Sequence, residues 1–267
     1  VQPAAILLAR RNDDGAFGPV PGAASEPEST ALAALALDDG DAADWLTDAQ
    51  AEDGSVGMQA GSVYRDVTAL AGLAMRDPQA QRRALAWVLG SRARAEPSSD
   101  ALPHDPDLRG WSWTSDTFAW TEPTAWSVLT LRVLGQDGPE LDDGIATLRD
   151  RACVDGGWNY GNRIVLGEDL PPFVQTTGMA LLALAGLDDP VVTRGVGRLA
   201  ELWRDERDGI LSLAVAAAAL RRLHDDAAAE VTAALDASLD TRPDVDTIAL
   251  AWATIALGDG LDRLVGA

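Results

Sequence analysis

The chain has 267 residues, 47% of them hydrophobic, and a formal net charge of −21 at pH 7. That length can bury a sizeable core. The acidity excludes nucleic-acid backbones and anionic membranes as partners, because both would be repelled. There is no lysine, so every basic residue is arginine, and the one cysteine, Cys153, rules out an internal disulfide framework and fits a reducing cytoplasm. No run approaches the roughly 18 apolar residues of a membrane span, so membrane contact is expected to be at most peripheral. Val1 to Arg11 lacks the basic-then-apolar order of a signal peptide. Position 1 is not Met, so the sequence is expected to begin late or to have been trimmed.

In chain order, Ala4–Arg11 carries apolar residues at helical spacing with charges on one side, the pattern of an amphipathic helix. A glycine-aromatic loop, Asp14-Gly15-Ala16-Phe17-Gly18, follows. Glu28-Ser29-Thr30 then opens an almost wholly apolar helix, Ala31–Leu37. The unit recurs: Ala42–Ala51 is amphipathic, Asp53-Gly54-Ser55-Val56-Gly57 is the loop, and Asp66-Val67-Thr68 opens Ala69–Met75. In the third unit Ala80–Arg92 leads through a long segment, Ala93 to Thr121 with Gly110-Trp111-Ser112-Trp113, to Glu122-Pro123-Thr124 and Ala125–Leu134. In the fourth, Leu141–Arg151 precedes Asp155-Gly156-Gly157-Trp158-Asn159-Tyr160-Gly161. A second long segment then reaches Gln175-Thr176-Thr177 and Gly178–Leu187. Two worn units close the chain. Val196–Arg207 is followed by Gly209-Ile210-Leu211 and Ala214–Leu223; Ala227–Leu239 is followed by Asp244-Val245-Asp246-Thr247 and Ile248–Leu257.

A helix apolar on all sides is buried on all sides, so each unit reads as an outer amphipathic helix, a loop and an inner buried helix. Repetition at roughly 40 to 55 residues means stacked supersecondary units. Six such pairs close a ring of inner helices inside outer ones. The expectation is an all-α, single (α/α)6 toroid over 1–267, with repeats clear to about 187 and degenerate from 188 to 267. Both long loops join an outer to an inner helix, so they share one end of the ring, where function is expected.

Trp45-Leu46, Gln50 and Asp53-Gly54 resemble the QW repeat of squalene and oxidosqualene cyclases. The stretches Gly110–Trp113 and Asp155–Gly161 resemble the same repeat, shared with protein prenyltransferase beta subunits. The likeness reaches small bacterial prenyltransferase/squalene-cyclase-like proteins and implies the α/α toroid. Zinc-dependent prenyl transfer does not carry over: the family's Asp-Gly-Cys-aromatic stretch is here Asp155-Gly156-Gly157-Trp158, and no histidine stands at Leu213 or Asp246. Cys153, His104 and His224 are not spaced as a ligand set, so no metal and no cofactor is expected. Cys153 also lacks the Cys-Gly-Glu-Gln setting of a thioester.

Class II terpene cyclases protonate an alkene or epoxide with the middle aspartate of Asp-x-Asp-Asp. Asp244-Val245-Asp246-Thr247 resembles that motif with one aspartate missing. If Thr247 takes the fourth place, Asp246 is the acid with Asp244 beside it; if Thr247 matches the threonine that follows the motif, the acid has become Val245. Against catalysis stands capping: Glu28, Asp66, Glu122 and Asp246 all sit at helix starts, where carboxylates satisfy free N–H groups and the helix dipole. The expected catalytic set is Asp246, Asp244 and Glu122. Trp111, Trp113, Phe118, Trp120, Trp158, Tyr160 and Gln175 are the expected cavity lining, although tryptophans of such repeats also brace loop against helix. Asn162 and Arg163 are candidates to hold a diphosphate, with Arg109 as a second cation. The partner implied is an isoprenoid or another hydrophobic small molecule, taken up by a terpenoid-cyclase-like protein. The alternatives are a non-catalytic toroid that binds a protein or lipid, and a carbohydrate-active barrel using Asp116 and Glu122.

Overall fold

The periodicity of the sequence becomes an alternation of outer and inner helices in a computed structural model, which describes residues 2–58, 67–95, 97, 99, 103–206, 209–242 and 245–266. The helices are α1 (Pro3–Leu8), α2 (Pro27–Leu37), α3 (Gly40–Asp48), α4 (Val67–Ala74), α5 (Pro78–Gly90), α6 (Thr121–Val133) and α7 (Pro139–Asp150). They continue with α8 (Val174–Leu184), α9 (Pro190–Leu202), α10 (Ile210–Arg222), α11 (Ala228–Thr241), α12 (Thr247–Leu257) and α13 (Gly260–Val265). Five begin with proline, whose fixed φ suits the first turn and whose missing N–H costs nothing there.

Inner helix α2 packs on α4, α4 on α6, α6 on α8, α8 on α10, α10 on α12, and α12 back on α2. The ring therefore closes, and the expected (α/α)6 toroid is what forms. Its inner helices are alanine-rich and buried almost throughout, as in Ala31–Ala36 of α2 and Leu213–Leu220 of α10. Small residues let the backbones approach: a Cβ on Gly178 of α8 would lie 2.5 Å from Val215 Cγ1 of α10. Outside them, α3, α5, α7, α9 and α11 pack on α2, α4, α6, α8 and α10 in turn, and α1 packs on α12.

Each clear repeat pins its loop to its inner helix with one threonine. Thr30, Thr68, Thr124 and Thr177 each accept the N–H of the loop residue Phe17, Val56, Trp111 or Trp158, at 3.1, 2.8, 3.0 and 2.9 Å. Each hydroxyl also donates to that residue's own carbonyl, at 3.1, 3.2, 3.3 and 3.1 Å. In the first, second and fourth repeats the turn before the pinned residue uses a left-handed glycine: Gly54 has φ +88°, and a Cβ there would sit 2.4 Å from the Arg83 carbonyl oxygen of the next outer helix.

Three features differ from the sequence reading. The inner helices start about one turn early, at Pro27, Thr121 and Val174, which places Glu28, Glu122 and Gln175 inside the first turn rather than at a cap. The second long loop holds a hairpin of β1 (Ile164–Val165) and β2 (Glu168–Asp169), with Ile164 opposite Asp169 and Val165 opposite Glu168. Its turn residues Leu166 and Gly167 both have positive φ. Finally, α13 lies across α2, α12 and α6.

Candidate functional site

The threonine pins set the rotation of each inner helix, and that rotation decides what faces the axis. Two residues before each pin stand Glu28, Glu122 and Gln175; Leu211 and Ile248 occupy the same first-turn place in α10 and α12. One helical turn further on come Leu32, Trp126, Met179, Val215 and Trp252. These ten residues, with Thr176, line a single pocket at the loop end. Because they come from five helices around the ring, the pocket lies on its axis. The rim is acidic on the α2–α6 side and apolar on the α10–α12 side. Trp126 and Trp252 form the floor, with ring centroids 5.9 Å apart and planes tilted by 40°.

The axial pocket is small, with a volume of about 70 Å³. Beside it, Val67 and Leu70 of α4 and Trp113 of the first long loop join Glu28, Glu122 and Trp126 around a gap of about 20 Å³. Both glutamates are half-buried. Gln175 is steadied by its Nε2 donating to Ser212 Oγ at 3.3 Å, and Ser212 donates in turn to Glu206 at 2.6 Å.

Among the described residues, Glu122 is the one expected catalytic carboxylate that lines the axial pocket, and Glu28 joins it on the same side of the rim. Asp246 is corrected to a capping residue: it is exposed, and its carboxylate accepts the Ala249 N–H at 2.7 Å. The cause is register, since Asp246 stands two residues before the axial position that Ile248 fills. Asp244 and Asp66 lie outside the described residues. Asp116 lines a separate surface cleft with Trp87 and Arg92, apart from Glu122 and the axial pocket.

Two aromatic expectations are also corrected. Trp111 and Trp158 are buried braces, not cavity lining. Their Nε1 atoms donate to Val88 O at 2.7 Å and Leu148 O at 2.6 Å, and their rings press on Gly144 and Gly195 of the next outer helices. Trp113, Phe118 and Trp120 do form one stack: Trp120 lies 5.0 Å from Trp113 and 4.5 Å from Phe118, centroid to centroid. Trp120, Tyr160 and Asn162 line a larger cleft of about 230 Å³ with Phe173, Leu170 and Pro171. The proposed diphosphate cations are engaged elsewhere. Arg163 lies 4.0 Å from Asp150 and reaches the Pro103 carbonyl at 3.5 Å, while Arg109 Nε donates to Ala93 O at 3.0 Å.

The role of Trp252 as axial floor went unread in the sequence. The acid-x-Thr spacing of the clear repeats, applied at Thr247, points to Val245 and not to Ile248 or Trp252, so the sequence carried no signal for them. Burial pushes the Cys153 thiol up from its ordinary value, which keeps it in the unreactive protonated form. Among the described residues no three His, Cys, Asp or Glu side chains gather where they could hold a metal ion, and no helix is long and apolar enough to cross a membrane.

No family model and no curated protein sequence matches this chain. Solved structures do. The type II terpene cyclase MstE from Scytonema superposes with a TM-score of 0.64 at 16% identity, over 98% of this chain and 97% of that one. A protein from Actinoplanes gives 0.60 at 15% identity, over 98% and 97%. The ent-copalyl diphosphate synthase from Streptomyces platensis gives 0.53 at 18% identity, over 90% of this chain and 50% of the other. A variant of the Scytonema cyclase has been solved with its product, merosterolic acid A. At these identities the likeness is one of fold, and the fold is the α/α toroid of type II terpene cyclases.

Proposed function

We propose that the chain is a terpenoid-cyclase-like protein that receives one end of an isoprenoid at the axial pocket, where Glu122 delivers the proton that starts cyclisation. One observation carries this reading: Glu122 and Glu28 face a pocket floored by Trp126 and Trp252. A carboxylic acid there can protonate an alkene, and the indole faces stabilise the cation that results. Glu28 on the same rim is placed to hold or return a proton. The reading favours a neutral end group at this point, since two carboxylates would repel a diphosphate.

The pocket volume sets a condition. About 70 Å³ is well below the roughly 300 to 1,000 Å³ of ordinary ligand pockets, so the pocket as it stands holds one end of an isoprenoid and not a whole chain. That small volume favours a second reading, in which the toroid binds a partner through its loop end without turnover.

The discriminating experiment is product analysis after incubation with squalene, farnesyl diphosphate and geranylgeranyl diphosphate in mild detergent. A cyclic product that is lost in Glu122→Gln and retained in Asp246→Asn supports the proposal. Asparagine caps a helix as well as aspartate, so the second variant tests chemistry and not folding. Loss in Asp246→Asn with retention in Glu122→Gln overturns the assignment of the acid. No product from any of the three supports the binding reading.

A further inference from the structure

The cleft at the foot of the β1–β2 hairpin has features that the axial chemistry does not use. Tyr160 is 52% exposed, Phe173 38% and Leu170 37%, three large apolar side chains gathered at one cleft. Tyr160 and Phe173 meet with centroids 5.2 Å apart and planes tilted by 44°, so they form one wall. Trp120 forms the opposite wall, held from behind by Phe118 and Trp113. The chain passes the cleft on both sides of the hairpin. Asn159 to Asn162 precede β1, Leu170 to Phe173 follow β2, and the Leu170 N–H closes on Arg163 O at 2.8 Å. The walls are thus fixed by backbone pairing.

Polar groups in the cleft are few. Asn159 is tied into its own loop, its Nδ2 donating to Asn162 O at 3.0 Å and its Oδ1 accepting Gly161 N–H at 2.9 Å. The Asn162 carboxamide remains, and its side chain bonds to none of the described residues. Among the described residues that line the cleft none is a cation, and Arg163 is turned to Asp150 and Pro103.

We propose that this cleft is a binding site for a small uncharged aromatic ring that carries one hydroxyl group, separate from the axial pocket. The volume of about 230 Å³ suits one substituted ring, being under the roughly 300 Å³ at which ordinary ligand pockets begin. The Asn162 carboxamide matches one hydroxyl, as donor or acceptor, and the Tyr160 hydroxyl and Trp120 indole N–H are further polar groups of the lining. An anion would gain nothing here and would meet the repulsion of a chain with net charge −21. An aromatic ring is favoured over an aliphatic one of the same size, because ring–ring geometry adds about 1 kcal/mol beyond area burial.

The test is calorimetric titration of the whole chain with p-cresol, and with 4-methylcyclohexanol as the ring without π electrons. Saturable p-cresol binding is expected, about fivefold tighter than the saturated ring. It should be weakened about fivefold in Asn162→Ala and lost in Phe173→Ala. Tyr160→Ala, at an exposed side chain, gives the same loss should Phe173→Ala fail to fold. Glu122→Gln should bind p-cresol unchanged, which separates this site from the axial proposal. Absence of saturable binding, equal affinity for the two rings, unchanged affinity in the wall variants, or loss in Glu122→Gln would each overturn the assignment.

Discussion

The threonine pins show how one side chain fixes a repeat. Thr177 is wholly buried, and its hydroxyl accepts the Trp158 N–H while donating to Trp158 O. The carbonyl has other donors, from Thr176 Oγ1 at 2.6 Å and Phe173 N at 2.9 Å, but the Trp158 N–H has no other acceptor among the described residues. Thr177→Val keeps the shape and removes the acceptor, leaving a buried donor unpaired. The expected cost is about 1–3 kcal/mol of stability, read from the urea midpoint at unchanged slope. A loss below about 0.5 kcal/mol would mean that water or a local shift replaces the pin. The same logic explains why Asp246 is not at the axis. In three of the four clear repeats an acid stands two residues before the threonine; at Asp246-Thr247 it stands one before, and no pinned loop residue turns it inward.

Between elements, outer helices are joined by capping aspartates that also take an arginine. Asp189 accepts the Val191 N–H at 2.8 Å to cap α9, and receives Arg149 Nε of α7 at 2.5 Å. The backbone bond at Val191, with Arg149, holds its carboxyl below the ordinary 3.8. A depressed carboxyl contributes stability that is present above the unfolded value and lost as pH falls through the folded one. The stability advantage of the wild-type chain over Asp189→Asn is therefore expected to be constant near neutrality and to shrink on acidification below about pH 4. Thermal unfolding of both proteins at pH 7 and pH 3 checks it; an advantage that grows in acid would reverse the sign and refute the assignment. The elements legible in the sequence were those whose burial is periodic. Inner helices such as α8 and α12 read as unbroken apolar runs, and outer helices such as α9 as one-sided stripes. The hairpin was not legible, because two-residue strands such as Ile164–Val165 have no period to detect. Glu122 was found from its helix start, whereas Glu28 and Trp252 join it only once the ring brings α2 and α12 to the same axis.

At the scale of the molecule, the toroid gathers the C-termini of its inner helices at the end opposite the loops, and each leaves carbonyls without helical partners. Arginine supplies the donors. Arg132 of α6 bonds Ala183 O of α8 and Ala185 O just past its end, at 2.5 and 2.8 Å, and Arg221 of α10 bonds Ala256 O of α12. Arg263 of α13 bonds Leu35 O and Ala36 O of α2, at 2.7 and 2.9 Å. A planar fork spans two carbonyls where an ammonium serves as a point, which suits the arginines to these places. The seam between the last and first repeats is closed from the loop side too: Arg10 donates to Val245 O at 2.6 Å, and the Thr247 N–H donates to Pro19 O at 2.8 Å. Helix α13 is too short to be read from periodicity, and it holds its place through contacts more than 220 residues away in sequence. Arg263→Met keeps the apolar stem and removes both donors. Bonds from a charged donor contribute about 1.5–3 kcal/mol, so a loss of that order is expected, with Arg263→Lys recovering part of it. Hydrogen exchange should quicken first in α13 and the last turn of α2 while the threonine-pinned loops keep their protection. Uniform acceleration over the whole ring would show instead that α13 belongs to the global unfolding unit and does not act as a local closure.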